Sequence, residues 1–306
     1  MIRKMYLWLP TLAALLSIPS AAAGQSDTLP PAWTYKGAAS VAFSQVSYTN
    51  WVAGGENAYT LSSNVDLAAN YARGKNEWEN NLKLGYGFSW QEAIKRKQNT
   101  LDVIDFSSKY GRKATERWFY TALLGFKTQF TKGYASVKDT IKSSDFMAPA
   151  YLTFSLGMDY KNNGFSMFIS PLSSKVTIVN SPYLSSQGMY GVDTGKVMRA
   201  ELFAGMMKLG YEKAFWEDKL RLKTTLELFS NYIDHPENVD VDWNFALDLK
   251  LGMGFTAQLM LRAIYDDDAR VEVDNGDGTT RKVAKMQFRE FVGFGLAYSF
   301  DTSKKK

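Results

Sequence analysis

The chain has 306 residues, 45% of them hydrophobic and 14% aromatic, with a formal charge of +5. The excess is slight and sits largely at the ends, in Arg3, Lys4 and Lys304, Lys305, Lys306, so it carries no nucleic-acid footprint. Cysteine is absent and His235 is the single histidine, which removes disulfides, thiol chemistry and lipid attachment through an N-terminal cysteine, and leaves most hydrolytic and metal chemistry short of its commonest residue.

The N-terminus reads as a secretory signal over residues 1–23. Arg3 and Lys4 form a basic start, Leu7 to Ile18 an apolar core broken by Pro10, and Ala21-Ala22-Ala23 a small-residue cleavage site. Residues 24–34, with Pro30-Pro31, read as a periplasmic tail. No apolar run long enough for a spanning helix follows.

From residue 35 to residue 300 the pattern repeats every second residue. Tyr59, Leu61, Val65, Leu67 and Tyr71 share one face, against Thr60, Ser62, Asn64, Asp66 and Asn70. Over Glu77–Trp90 the apolar set is Trp78, Leu82, Leu84, Tyr86, Phe88 and Trp90. Later stretches follow suit: Trp118 to Phe126, Ala150 to Tyr160, Leu220 to Leu228, Val239 to Leu251, Phe255 to Tyr265, and Val292 to Phe300. Three stretches alternate poorly, namely Asn99–Tyr110, Phe165–Ser170 and Val197–Tyr211.

Length separates a soluble sandwich from a membrane barrel. Soluble strands run to about five or six residues, whereas alternation here holds for about eleven to fourteen, and a tilted strand needs roughly nine to eleven to cross the hydrocarbon. Aromatic residues mark both ends of the apolar face. Tyr71, Trp78, Trp118, Tyr160, Tyr211, Phe255 and Phe300 fall at one rim, and Tyr59, Trp90, Tyr232, Trp243 and Tyr265 at the other.

Connections alternate in length. Short ones span 73–76, 111–116, 161–164, 215–219 and 252–254; longer ones span 47–57, 91–98, 131–146, 171–196 and 266–284, with 233–238 a brief exception. Short turns at one end and long loops at the other predict an all-β, transmembrane, antiparallel up-and-down barrel of about 12 strands over residues 35–300. It must close, because an open edge in lipid would leave backbone groups unpaired. Residues 301–306 trail as a basic, solvated tail.

Candidate sites are sparse. A hydrolase would need a nucleophile activated by a base, but His235 lies in the loop Asp234-His235-Pro236-Glu237 and reads as a solvated loop residue. In the acidic cluster Asp266-Asp267-Asp268 only Asp266 and Asp268 can converge, since adjacent strand residues alternate faces. With Asp274 to Gly278 it offers hard oxygen ligands suited to calcium, but the spacing misses the helical calcium-loop pattern and Asn275-Gly276 and Asp277-Gly278 are turn dipeptides. No cofactor or metal is expected.

The inward face carries both signs, among them Asp66, Asp105, Asp242 and Asp248 against Lys109, Lys250 and Arg289. Lys83, Lys127, Arg221, Asp248 and Arg262 are the candidate lining residues of a passage. The competing reading is an interior filled by ion pairs, because barrels of this size sit between a packed core and an open channel. Gly85, Gly87, Gly125 and Gly157 on the same face lower side-chain volume and favour a narrow passage.

The segment Asn50-Trp51-Val52-Ala53-Gly54-Gly55-Glu56-Asn57 resembles the hallmark of a Gram-negative family, domain of unknown function 3078. Ser108 to Gly111, Thr128-Gln129-Phe130 with Gly133-Tyr134, Phe146 to Tyr151, Ser170-Pro171-Leu172 and Tyr265 to Asp268 are similar to the same family. The resemblance implies an outer-membrane-type barrel and brings no activity with it. On their own terms, Gly54-Gly55 permit positive φ in a tight loop, and Asn50 and Trp51 read as parts of a structural loop motif.

The expected function is a narrow channel or transporter-like pore for small solutes in a Gram-negative outer membrane. The alternative is a non-conducting structural or assembly barrel whose long loops contact a protein partner, and an outer-membrane hydrolase comes third. Lipid is the one partner every reading shares.

Overall fold

The computed structural model describes residues 32–46, 58–91, 96–134, 141–268, 271–274 and 279–303. The expected signal sequence, most of the expected proline-containing tail, the expected loop motif with Asn50, Trp51, Gly54 and Gly55, and the turn expected over Asn275–Gly278 lie outside these residues.

Twelve long strands form a closed barrel. In chain order they begin with β1 (Trp33–Val46), β2 (Ala58–Arg73), β3 (Asn76–Gln91), β4 (Arg96–Lys113) and β5 (Trp118–Thr128). Two short strands, β6 (Gly133–Tyr134) and β7 (Lys142–Ser144), pair within the next loop. The barrel resumes with β8 (Ala150–Asn162) and β9 (Phe165–Ile178), then a one-turn helix α1 (Pro182–Ser186), then β10 (Met198–Phe215), β11 (Leu220–Asn231), β12 (Val239–Gly252) and β13 (Phe255–Tyr265). A second loop hairpin, β14 (Val271–Asp274) with β15 (Thr280–Val283), precedes the last strand, β16 (Gln287–Asp301). Every barrel neighbour is antiparallel, and β1 closes the ring on β16 from Lys36↔Asp301 to Ala42↔Gly295. Closure pairs the backbone groups that an edge would leave bare.

Register carries the alternation of the sequence into two surfaces. Val41, Phe43, Leu67, Phe154, Phe294 and Leu296 project outward and stay 43% to 66% exposed, an apolar belt with no protein over it among the described residues. Aromatic groups bound the belt. At the end where β1 begins and β16 finishes, Trp33 sits 5.3 Å from Tyr71 and 5.8 Å from Trp78, and Trp118 sits 5.2 Å from Tyr160; at the other, Tyr59 stacks on Trp90 at 6.5 Å. An apolar exterior between aromatic girdles is what acyl chains and headgroups require, so this is a transmembrane barrel.

The connections at the end where β1 begins are tight. Asn163 and Gly164, with φ of 45° and 85°, join β8 to β9 in two residues, the mirror-image turn whose twist matches the strands it joins. At 216–218 three successive residues, Trp216, Glu217 and Asp218, adopt positive φ without a glycine among them.

Several boundaries differ from the sequence expectation, for one physical reason. β9 continues to Ile178, through residues expected in the 171–196 loop; β4 begins at Arg96 and runs to Lys113, shortening the 91–98 and 111–116 connections; β10 runs from Met198 to Phe215. Each of these strands holds an extra residue. Leu172 pairs Leu156 while Ile169 pairs Met158, leaving Ser170-Pro171 opposite Gly157. Glu201 pairs Lys175 while Ala204 pairs Ser173, leaving Leu202 and Phe203 side by side and both more than half exposed. Asn99 pairs Phe88 while Leu101 pairs Gly87, leaving Thr100 over. A bulge shifts the parity of everything beyond it, and each of the three stretches that alternated poorly contains or borders one; buried inward Leu101 and Phe168 blur the pattern further. Proline fits at a bulge because no ladder hydrogen bond is asked of it there. Gly157 fits opposite because a Cβ would lie 2.1 Å from the Ile169 carbonyl oxygen.

Candidate functional site

The barrel interior is the one surface where many charged side chains converge, and it divides into two unlike walls. On β5, β8, β9, β10 and β11 a group of inward residues is packed out of solvent, although Arg221 and Lys223 on the same wall stay exposed. Leu123, Phe168, Ala204, Met206 and Phe229 form an apolar cluster inside the barrel, none more than 7% exposed. Beside it Ser173 Oγ lies 2.8 Å from Ser155 Oγ and 2.9 Å from Ser170 Oγ, while Ser170 Oγ lies 2.8 Å from the Leu156 and Leu172 carbonyls. Buried hydroxyls satisfied in this way cost little and fix the bulge.

On β1, β2 and β16 many inward residues are small and half-covered, among them Ala38, Ser40, Ala42, Ala68 and Ala297, although Ser62 is buried and Arg289 and Phe291 face the same interior. This wall stays open. The expectation that four inward glycines create the space is corrected. A Cβ at Gly85 would strike Leu101 and Val103, one at Gly87 would strike Ser62, and Gly157 is occupied by the bulge; only Gly125 has room, with Thr153 3.7 Å away.

Three ion-pair nets cross the interior. Nearest the short turns, Lys109 bonds Asp159 at 2.7 Å and Glu79 at 3.0 Å, and Lys161 bonds Glu77 and Glu79 at 2.5 Å each. In the next net Arg262 holds Asp242 with two parallel bonds, Nε to Oδ1 at 3.1 Å and Nη2 to Oδ2 at 3.0 Å. Lys127 lies 3.3 Å from the same carboxylate and 3.5 Å from Glu227, which Lys208 also contacts at 3.2 Å. At the long-loop end Lys175 joins Asp240 at 2.7 Å and Glu201 at 3.3 Å. Such pairs offset desolvation only when their remaining hydrogen bonds are met, and the forked Arg262–Asp242 contact is the best formed of them.

Of the residues singled out from the sequence, the structure brings Lys127 and Arg262 together on Asp242. Lys83 faces Asp66 and Asp105 in register and is exposed. Arg221 faces Asp248, whose carboxylate accepts a hydrogen bond from Gln258 Nε2 at 3.0 Å. The sequence reading missed Asp159, Lys161, Lys175, Lys208 and Glu201. Lys175 fell in a stretch read as loop. The bulge in β10 turns Glu201 inward, although parity alone would have set it on the same face as Phe203. A proline next to a serine in an apolar run was the available signal for the β9 bulge.

The long-loop end is tied across by Arg199. Its guanidinium reaches Asp268 at 2.8 Å, Asp234 at 3.1 Å, the Gly191 carbonyl at 3.2 Å and Glu201 at 3.7 Å, so it joins three loops to β10. Behind it Ala148, Val179, Leu184 and Val192 form a second buried cluster with Met189 and Tyr190 against them. Tyr190 donates to the Ser143 carbonyl at 2.5 Å, and burial pushes its phenol up to about 12.

Asp266 and Asp268 do not act as a pair. Asp266 accepts the Asp268 backbone N–H at 2.9 Å, and the Asp268 carboxylate is spent on Arg199. Burial, followed by the neighbouring Asp240 charge, holds Asp266 above the usual carboxylate range. Among the described residues no group of three potential ligands is placed to hold a metal. His235 is solvent-exposed, 3.1 Å from Glu237, whose hydrogen bond and charge raise its pKa.

Fold and interior together define a transmembrane β-barrel of the outer-membrane type. Residues 43–134 match the family model described as Protein of unknown function (DUF3078), so the resemblance carried by the sequence motifs holds for this part of the chain. No curated protein matches the sequence. Among solved structures, an outer membrane channel from Pseudomonas putida F1 is similar over 90% of this chain and 99% of its own, at 9% identity and a TM-score of 0.39. The translocator domain of the autotransporter NalP from Neisseria meningitidis is similar over 88% of each chain, at 8% identity and 0.37. OmpT, an outer membrane protein of Vibrio cholerae, covers 90% of this chain and 98% of its own, at 11% identity and 0.30. At such scores they bear on neither the activity nor the site of this chain.

Proposed function

We propose that the barrel lies in the outer membrane of a Gram-negative bacterium and passes small polar solutes along its open wall. The observation that supports this is the uneven interior: β5 and β8 to β11 carry a buried apolar and hydroxyl cluster, while β1, β2 and β16 set several small, half-covered residues beside the charged nets. A charged, wetted wall facing a packed one makes a narrow passage in which side-chain charge selects the solute. No bond-breaking step belongs to this role. Purified full-length protein in planar bilayers is expected to show small, discrete conductance steps; a monodisperse, folded and electrically silent protein would refute it.

A second reading is favoured by the Arg199 tie, which binds three loops to the barrel at the long-loop end. On it the protein is a non-conducting barrel whose ordered loops contact a protein partner. Crosslinking in native membranes is then expected to trap a stoichiometric partner through residues of the 179–197 segment, and its absence counts against this reading.

A further inference from the structure

The cations of the interior are not all matched. Arg262 and Arg289 face each other in register on β13 and β16, both inward, so two guanidinium groups share one level of the open wall and repel each other. Arg262 is engaged by Asp242, but that carboxylate has nothing left to give. Its oxygens already take two bonds from Arg262, one from Lys127 at 3.3 Å and one from Asn244 Nδ2 at 2.8 Å. Glu227 is divided between Lys127 and Lys208. Asp266, one residue past the end of the strand that carries Arg262, stands four residues further along, about 13 Å at 3.3 Å per residue, and no ion pair joins it to Arg289. Among the described residues Arg289 has no carboxylate within 4.0 Å.

A half-covered guanidinium beside a second one is costly where water is restricted, unless an anion sits between them. The planar fork suits the two oxygens of a carboxylate or phosphate. We propose that Arg289, with the side of Arg262 turned away from Asp242, forms an oxyanion-binding site on the open wall of the barrel. Its ligand is a small solute bearing a carboxylate or phosphate group. The inference deepens the solute-passage reading and rests on it in one respect, that solutes reach the interior.

The test separates the two. Full-length protein in neutral detergent is titrated calorimetrically with inorganic phosphate and, separately, with acetate, against chloride as the baseline. Binding of either is expected in the wild type, the two arms telling a phosphate from a carboxylate preference. In Arg289→Gln, which breaks none of the ion pairs described above, affinity is expected to fall at least about tenfold, the loss of one charge-assisted fork. Wild-type protein that takes up neither anion, or a folded Arg289→Gln protein that binds as the wild type does, overturns the site. Bilayer recordings run beside it: a silent barrel that binds the anion sinks the passage reading and keeps the site, while a conducting barrel that binds neither sinks the site alone.

Discussion

The two halves of the barrel wall share strand length, hydrogen bonding and lipid-facing chemistry, yet their interiors differ in kind. On the β5–β11 side, inward Phe119, Leu123, Phe168, Met206 and Phe229 are at most 7% exposed; on the β1–β2–β16 side several inward groups, such as Ala38, Ser40 and Ala297, are small and half-covered. The difference shows that closure and core are separate problems in this protein. Closure is met by backbone pairing all round, whereas the buried apolar cluster is confined to Leu123, Phe168, Ala204, Met206 and Phe229 on β5 and β9 to β11. One half therefore behaves as a protein core and the other as the wall of a passage.

The comparison breaks most visibly at Phe229, which lies in the apolar cluster with the Lys175 ammonium 4.5 Å from its ring. Phe229→Ala is expected to cost about 3–5 kcal/mol, read as a lower midpoint in urea unfolding from vesicles, and to raise conductance by opening the packed half. Ser40→Ala on the open wall is expected to stay within about 0.5 kcal/mol. Equal costs at the two positions would erase the distinction.

The ion pairs sharpen it. Asp159 is 2% exposed and lies 2.7 Å from Lys109, so Asp159→Ala leaves that ammonium with Glu79 alone and is expected to cost about 2 kcal/mol in the same unfolding assay. Asp248→Ala, opposite the half-exposed Arg221 of β11, is expected to cost less than about 1 kcal/mol.

A smaller and local effect is expected at Arg199. Arg199→Ala should leave the unfolding midpoint nearly unchanged while amide exchange in 189–191 and 233–238 speeds up about tenfold, the loss of roughly one charged hydrogen bond per loop. Unchanged protection there would mean that the buried Val179–Leu184–Val192 cluster alone holds the loop.

The smallest is a titration. As the single histidine, His235 can be followed by its ring-proton resonance without assignment. Glu237 stabilises the protonated ring, so its midpoint should lie above 6.5 and move back toward that value in Glu237→Gln. The sign follows: a raised folded-state pKa means that the contact contributes fully below pH 6.5 and is lost as pH rises through the raised value. A midpoint that ignores Glu237→Gln would show the pair is not formed in solution.

What the sequence determined by itself was everything that depends on parity and length. Strands as regular as Tyr59–Tyr71 and Val239–Leu251 disclosed their inner and outer faces, the aromatic rims and the even strand count, because a side-chain period of two is a local property of extended backbone. The positions Lys127 and Arg262 were legible for the same reason. The tertiary structure alone decided where that parity slips. The bulges at Thr100, Ser170-Pro171 and Leu202-Phe203 depend on which residue of the neighbouring strand stands opposite, and Gly157 shows why: its missing Cβ is what lets the Ile169 carbonyl approach. Register with a distant partner also placed Arg289 beside Arg262 and gathered Lys175, Glu201 and Asp240 from three strands. No local pattern encodes such meetings, since they are set by closure of the whole ring.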